Sequence, residues 1–302
     1  DIIAKVKDAT EKIARGTGVR GLINIQFAYV SENLYVIEAN PRASRTVPFV
    51  SKATGVQMAK AAVLIGLGKS IAELKAEGYL PSNMDGASLP EETAIAVKAA
   101  VLPFARFRTP EGVVVDSLLS PEMRSTGEVM GLDKHYDTAF AKAQAGAGSP
   151  LPTSGKVFIS VANHDKRNVI IYAKMLESLG FEIVSTGGTA EILRRNGLNS
   201  VIVASKFAEA NGDHSIVDMV RNGDIDLILN TPAGGAARSD GYEIRAAAVS
   251  VGCPVMTTIS EFAAAVQAIN ALREHSWDIM SLQEHGVQLA AAVDARSEGG
   301  EA

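Results

Sequence analysis

Cysteine, aromatic residues and long apolar runs are all scarce in this chain, and each scarcity excludes a class of protein. The single cysteine, Cys253, cannot close a disulfide within the chain, which suits a reducing cytosol. It sits in the apolar stretch from Val249 to Val255, so it reads as a core residue and not as a reactive thiol. No apolar run approaches the ~18 residues a membrane helix needs. Lysine and arginine together number 29 against 34 acidic residues, and no basic block stands out, so neither a membrane nor a nucleic-acid partner is expected. There is no signal-peptide pattern, and a cytoplasmic location is expected. There is also no initiating methionine: Asp1 falls inside a helical pattern, which reads as a piece of a longer or processed chain.

What is present suits about two globular domains in 302 residues. Residues 1–15 have helical spacing, with Ile3, Val6, Ala9 and Ile13 apolar among charges. Two β-type runs, 21–30 and 34–39, flank the polar turn Ser31-Glu32-Asn33. Residues 54–67 and 70–77 are helical in period, with Gly66 and Gly68 as breaks, and helix and loop patterns are expected to continue to about Gln144. Residues 145–155 are small, uncharged and rich in Gly and Pro, which is linker chemistry. Beyond them strands and helices alternate. Strands are expected at 157–161, 182–185, 201–204, 227–230 and 255–257, and helices at 167–179, 190–196, 215–222, 241–251 and 260–275. That alternation predicts a parallel α/β sheet covered by helices on both faces.

The hairpin is the first place where chemistry gathers. A uniform antiparallel ladder centred on Glu32 sets Gln26 opposite Glu38 and Asn24 opposite Asn40, all on one face. The other face would carry Ile23, Ile25, Phe27, Tyr29, Tyr35 and Ile37 as core. A carboxylate and three amides beside Arg42 and Arg45 suit a hard cation bridging nucleotide phosphates. The same pattern also fits the wet face of a half-exposed sheet.

Glu38-Ala39-Asn40-Pro41-Arg42 resembles the acidic-x-Asn-x-Arg signature of ATP-grasp ligases. The longer run from Asn40 to Gly55, together with Pro121-Glu122-Met123-Arg124-Ser125-Thr126-Gly127-Glu128-Val129-Met130-Gly131, is similar to the carbamoyl-phosphate synthase large-subunit family. A carboxylase component or another ATP-grasp ligase would share the short signature but not the second stretch. The resemblance covers nearly the whole chain. It implies an α/β fold in which residues 1–144 form the C-terminal lobe of the second ATP-grasp module, an antiparallel sheet with helices. Residues 145–155 would be a linker, and residues 156–302 a Rossmann-like, methylglyoxal-synthase-like allosteric domain.

The resemblance further implies ATP with Mg or Mn as cofactors. Gln26, Glu38 and Asn40 would be metal ligands, Arg42 a catalytic phosphate contact, and Arg45 a second nucleotide contact. The family's second module phosphorylates carbamate for pyrimidine and arginine biosynthesis. Its implied partners are a glutaminase small subunit and the remaining N-terminal portion of the large subunit. The Gly-rich phosphate loop and the basic residues of the central lobe are not in this sequence, so the chain alone is expected to be inactive. A stand-alone nucleotide-sensing module is the competing reading.

In the C-terminal part, residues 160–166 and Ser185-Thr186-Gly187-Gly188-Thr189 each leave a strand and enter a helix. Small residues let backbone N–H groups approach a phosphate, and a helix N-terminus favours one. Lys166 would supply countercharge, while ordinary capping by Thr and Ser explains either loop singly. The segment resembles the methylglyoxal-synthase-like family, whose enzymes carry a catalytic aspartate after the fourth strand and a histidine shortly beyond. Here those places are held by Thr231 and Ser239. A threonine hydroxyl cannot do a carboxylate's acid–base work. The resemblance therefore implies a sensor that binds a nucleoside monophosphate such as UMP or IMP through Lys166, Thr186, Thr189, Lys206, Asn230 and Thr231. His164 reads as a polar loop residue. Ala99 and Ala100 stand where ornithine-activated relatives have an acidic residue, so ornithine activation is not expected.

Overall fold

The computed structural model describes residues 2–81, 93–109, 114–205, 215–232, 234–274, 277–288 and 291, with residues 234–240 as backbone only. The chain divides into two compact units, one of residues 1–94 with 279–302 and one of residues 95–278.

The first unit opens with α1 (Ile2–Thr17), whose apolar positions at helical spacing give it a strongly one-sided face. The hairpin follows as β1 (Asn24–Val30) and β2 (Asn33–Asn40). Its turn is tighter than the sequence suggested: Ser31 and Glu32 alone form it, both with positive φ, 48° and 65°. Such a two-residue turn matches the twist of the strands it joins. The uniform ladder fails near the tip, where Phe27 pairs with Val36 and Tyr29 with Leu34 instead of with Ile37 and Tyr35. A bulge between Gln26 and Phe27 then restores the expected pairs, Gln26 with Glu38 and Asn24 with Asn40. A one-residue slip would otherwise move Glu38 to the opposite face.

The residues expected to form one apolar core face do not form it, since near the tip Tyr35 pairs with Ala28 and lies on the other side from Tyr29. Tyr29, Tyr35 and Ile37 are 42%, 56% and 64% exposed. A two-stranded sheet backed mainly by α1 has too little covering it to bury a full face. The helix expected over 54–67 is α3 (Met58–Gly66), and it is preceded by α2 (Thr46–Thr54), where the sequence reading placed no helix. Gly55 at φ 73° ends α2 in the left-handed conformation only glycine adopts cheaply. Next, α4 (Ile71–Ala76) starts at a capping box in which Ser70 and Glu73 satisfy each other's backbone N–H.

The second unit begins with two strands where helix and loop were expected, β3 (Ile95–Val101) and β4 (Gly127–Asp133), paired antiparallel. Alanine in β3 and two glycines in β4 hide the strand pattern, because neither residue favours strands. Helix α5 (Tyr136–Gly146) lies on this pair and runs into the Gly/Pro-rich stretch. Leu151, inside that stretch, is buried in the same cluster as Phe140 and Ala141 of α5.

The rest alternates as expected: β5 (Lys156–Ser160), α6 (Val169–Ser178), β6 (Glu182–Ser185), α7 (Gly187–Arg195), β7 (Ile202–Val203), α8 (Ile216–Arg221), β8 (Leu227–Asn230), α9 (Gly234–Val251), β9 (Val255–Met256) and α10 (Ile259–Glu274). The five strands form a parallel sheet in the order β7-β6-β5-β8-β9. Successive residues of β5 point to opposite sides. Val157 and Ile159 join a core with α5, α6, α7 and α10, and Phe158 joins one with α8 and α9. Burial on both faces is why Leu227, Ile228 and Leu229 are all apolar and fully buried. Helix α7 starts at Gly187, three residues before the expected Ala190, and α9 starts at Gly234 and not at Gly241.

Candidate functional site

The sheet order changes direction at β5. The chain moves outward through β6 and β7, then returns to the other side of β5 as β8. A crevice at the C-terminal ends of the strands is expected at such a switch point. Register fixes what lines it: Ser160 pairs with Asn230, and Ile159 with Ser185, so the residues just past each pair meet at one edge.

Five of the six residues assigned from the sequence to an effector pocket lie at this edge. Thr186 is the N-cap residue of α7, and its hydroxyl is 3.2 Å from that of Ser160. Thr189 and Thr231 are buried, and each hydroxyl oxygen accepts a backbone N–H from the β5 loop, Val161 at 3.4 Å and Ala162 at 2.9 Å. Each O–H thereby stays free to donate elsewhere. The Lys166 ammonium lies over the first turn of α7, where a Cβ on Gly188 would come within 3.3 Å of its Nζ. The N–H groups of Gly187 and Gly188 open the helix and lack acceptors within it, and the helix dipole adds positive potential there. Amides, hydroxyls and an ammonium converge on one place with no carboxylate among these residues, which is the chemistry of an anion site. Lys206 lies outside the described residues. The side chain of His164 is 73% exposed beside Asp165, as a polar loop residue would be.

Asn230 brings in residues that sequence reasoning missed. Its Oδ1 accepts from Arg245 Nη1 at 2.8 Å, and its Nδ2 donates to Ser160 O at 3.5 Å. Arg245 is completely buried, and its other nitrogens hold Asp116 in a two-point pair, Nε to Oδ1 at 2.8 Å and Nη2 to Oδ2 at 2.7 Å. Burial pushes the Asp116 carboxyl up, but the hydrogen bonds from Arg245 and the Leu118 N–H outweigh it and hold it below the usual range. Gly241 makes room for this crossing, since a Cβ there would sit 2.2 Å from Arg245 Nη1 and 2.5 Å from Asn230 Oδ1. One sequence signal was available. Arg245 falls on the apolar stripe of α9 with Ile244 and Ala248, and a charge there demands a partner.

In the first unit, Gln26 Nε2 and Asn40 Nδ2 both donate to Glu38 Oε1, at 2.8 and 2.9 Å. Turning either amide over presents an oxygen to the same point, so one carboxylate and two amide oxygens can converge as a hard donor set. No group of three or more His, Cys, Asp and Glu gathers among the described residues, so a cation here would need phosphate oxygens to complete its shell. Arg42 and Arg45 are exposed just past the strand, with Arg42 Nη1 on Ala43 O.

A cavity of about 570 Å³ in the second unit is lined by Ala99, Ala100, Leu102, Cys253, Thr257 and Glu261, among others. Glu261 is the one carboxylate among its described lining residues, and burial raises its pKa despite an N–H from Thr257. The Cys253 thiol packs against the α8–α9 core and is pushed up to about 12, chiefly by burial.

Residues 2–74 match the family described as carbamoyl-phosphate synthase L chain, ATP binding domain, and residues 168–257 match the MGS-like domain. Curated relatives are similar over almost all of this chain. The carbamoyl phosphate synthase large chain of Kocuria rhizophila is 69% identical over 94% of it, that of Micrococcus luteus 64% over 97%, and that of Streptomyces coelicolor 55% over 97%. The chain spans only 26–27% of the length of these relatives. No helix among the described residues is long and apolar enough to cross a membrane.

Proposed function

We propose that the MGS-like domain binds a nucleoside monophosphate, UMP or IMP, at the crevice between β5 and β8. The observation that carries this reading is the gathering of Lys166, Thr186 and Thr189 at the N-terminus of α7, with Thr231 bonded to the same β5 loop as Thr189. In this reading the phosphate takes the α7 amides and the Lys166 ammonium, and Asn230 and Lys206 contribute to holding the nucleotide. Thr231 in place of a catalytic aspartate makes the site one for binding and not for enolisation. A coupling of roughly 1–3 kcal/mol to a distant active site is the usual reach of such a domain.

The parent activity in this reading is ATP-dependent phosphorylation of carbamate by a glutamine-dependent carbamoyl-phosphate synthase. A glutaminase subunit and the rest of the large subunit would be its partners. Gln26, Glu38 and Asn40 would hold Mg or Mn against the ATP phosphates, a cation that supplies charge neutralisation at the transferring phosphoryl group. Arg42 would bind that group, with Arg45 beside it. The cluster in the first unit is half of such a site, so the isolated chain is expected to make no carbamoyl phosphate.

Calorimetry on the 302-residue chain tests the effector reading. UMP should bind, and Lys166→Ala should weaken it about tenfold or more, the scale of one charge-assisted hydrogen bond. A folded chain that ignores UMP and IMP, or that binds them equally well without Lys166, overturns it. ATP turnover above background, with ammonia and bicarbonate supplied, would overturn the expectation of inactivity.

A further inference from the structure

We propose that Arg245 is a positioning residue for the effector pocket: it fixes the Asn230 side chain and ties it to the segment around Asp116. The inference rests on the nucleotide-binding reading above. Asn230 closes the β8 side of the crevice, and an amide can present either its oxygen or its NH2. Because Arg245 has no acceptor to offer, its Nη1 can only donate, so Oδ1 must face it and Nδ2 must face the Ser160 side. The amide is thereby set as a donor toward the strand edge where the anion is proposed to sit.

Arg245 is held in turn by something outside the pocket. Its two-point pair with Asp116 belongs to the connection between β3 and β4, far along the chain from β8. That connection has one further tie to α9, the Tyr242 hydroxyl donating to Val114 O at 2.6 Å, and within it Leu118 N donates to Asp116 Oδ1 at 3.1 Å. Val114 is buried. Without a Cβ on Gly241, α9 comes close enough for Arg245 to span both partners. A guanidinium can bridge two acceptors in a fixed plane, and an ammonium cannot do so with the same geometry. Order in the connection and donor orientation in the pocket are thus one arrangement. Filling the pocket should slow motion at Leu118, and loosening Arg245 should weaken the ligand.

A double-mutant cycle with UMP as the probe tests this. Arg245→Lys keeps the charge against Asp116 but gives up the bridge, and Asn230→Ala removes the group being positioned. Each should raise the UMP Kd about tenfold, the cost of one hydrogen bond to a charged or anionic group. The double variant should be no worse than the weaker-binding single one, because both act through the same amide. Losses that multiply to about a hundredfold, or Arg245→Lys binding UMP as wild type does, would overturn the proposal. Hydrogen exchange at the Leu118 amide, read without ligand, decides the linkage separately. Asn230→Ala should speed it several-fold more than the change in global stability accounts for, and a rate that global stability alone explains overturns the linkage. If that exchange responds but wild type ignores UMP, the linkage stands and the nucleotide reading falls.

Discussion

Gly131→Ala should be the most damaging single methyl group that can be added to the second unit. A Cβ at this position would stand 1.9 Å from the Ala139 carbonyl oxygen and 2.6 Å from the Ala143 nitrogen. Both are backbone atoms of α5, so no side chain can turn aside. The helix must lift off β4, and with it Phe140 and Ala141 from the core they share with the parallel sheet. Overpacking usually costs 1–3 kcal/mol, and a clash with helix backbone belongs at or above the top of that range. A loss of about 3 kcal/mol corresponds to a drop of about 6–12 °C in Tm for a unit of this size. Calorimetric melting of wild type and variant checks this, with Gly146→Ala as a control, since a Cβ there meets only Val129 side-chain atoms at 3.5 Å or more. Equal melting of Gly131→Ala and wild type would show that α5 does not lie on β4 as described.

Asp116→Ala should cost about 3–5 kcal/mol at neutral pH, the usual loss when one partner of a buried ion pair is removed. The reason is the completely buried Arg245 left behind, since a guanidinium cannot discard its proton to escape. Arg245→Met should cost less, because the Asp116 side chain is 29% exposed and water can take over part of its solvation. The pH dependence has a definite sign. The Asp116 carboxyl is held low by Arg245, the Leu118 N–H and the nearby charge of Arg124, against the opposing effect of burial. A depressed carboxyl adds stability that is complete above its unfolded value, near pH 4, and is lost as pH falls through its folded value. The stability gap between wild type and Asp116→Ala should therefore be constant from about pH 5 to 8 and narrow below about pH 4. Denaturant titrations at several pH values check it, and a gap that is already absent at pH 7 would mean that the ion pair contributes nothing net.

These two positions bear on how the sequence is to be read. Gly131 and Arg124 both belong to Pro121–Gly131, one of the two long stretches that carried the family resemblance, and in the fold they serve packing and a local charge. The resemblance in that stretch is to a scaffold. By contrast, the grouping of Lys166, Thr186 and Thr189 at one strand edge was legible because loop chemistry is local: each lies where the chain leaves a strand and enters a helix. Asp116 and Arg245 were not legible as a pair, because 129 residues separate them and only the packing of α9 on the β3–β4 connection joins them.

The hairpin shows the same division on a smaller scale. Alternation along β1 and β2 placed Gln26, Glu38 and Asn40 together, and they do share one carboxylate oxygen. Alternation could not show that a two-residue turn and a bulge cancel to produce that register, nor that Tyr35 and Ile37 stay exposed. Burial is a property of what lies across from a face, and a strand's own sequence does not contain it.

For this chain, then, the sequence by itself determined the α/β class, the alternating order of the C-terminal elements, the small-residue loops and the oxygen-rich hairpin. All of these follow from interactions between residues close along the chain. Tertiary structure alone decided the sheet order that brings the ends of β5, β6 and β8 together, the two strands hidden in alanine and glycine, and the buried arginine behind Asn230. Those depend on contacts between distant segments, where burial and a shared hydrogen-bond partner outweigh local preference.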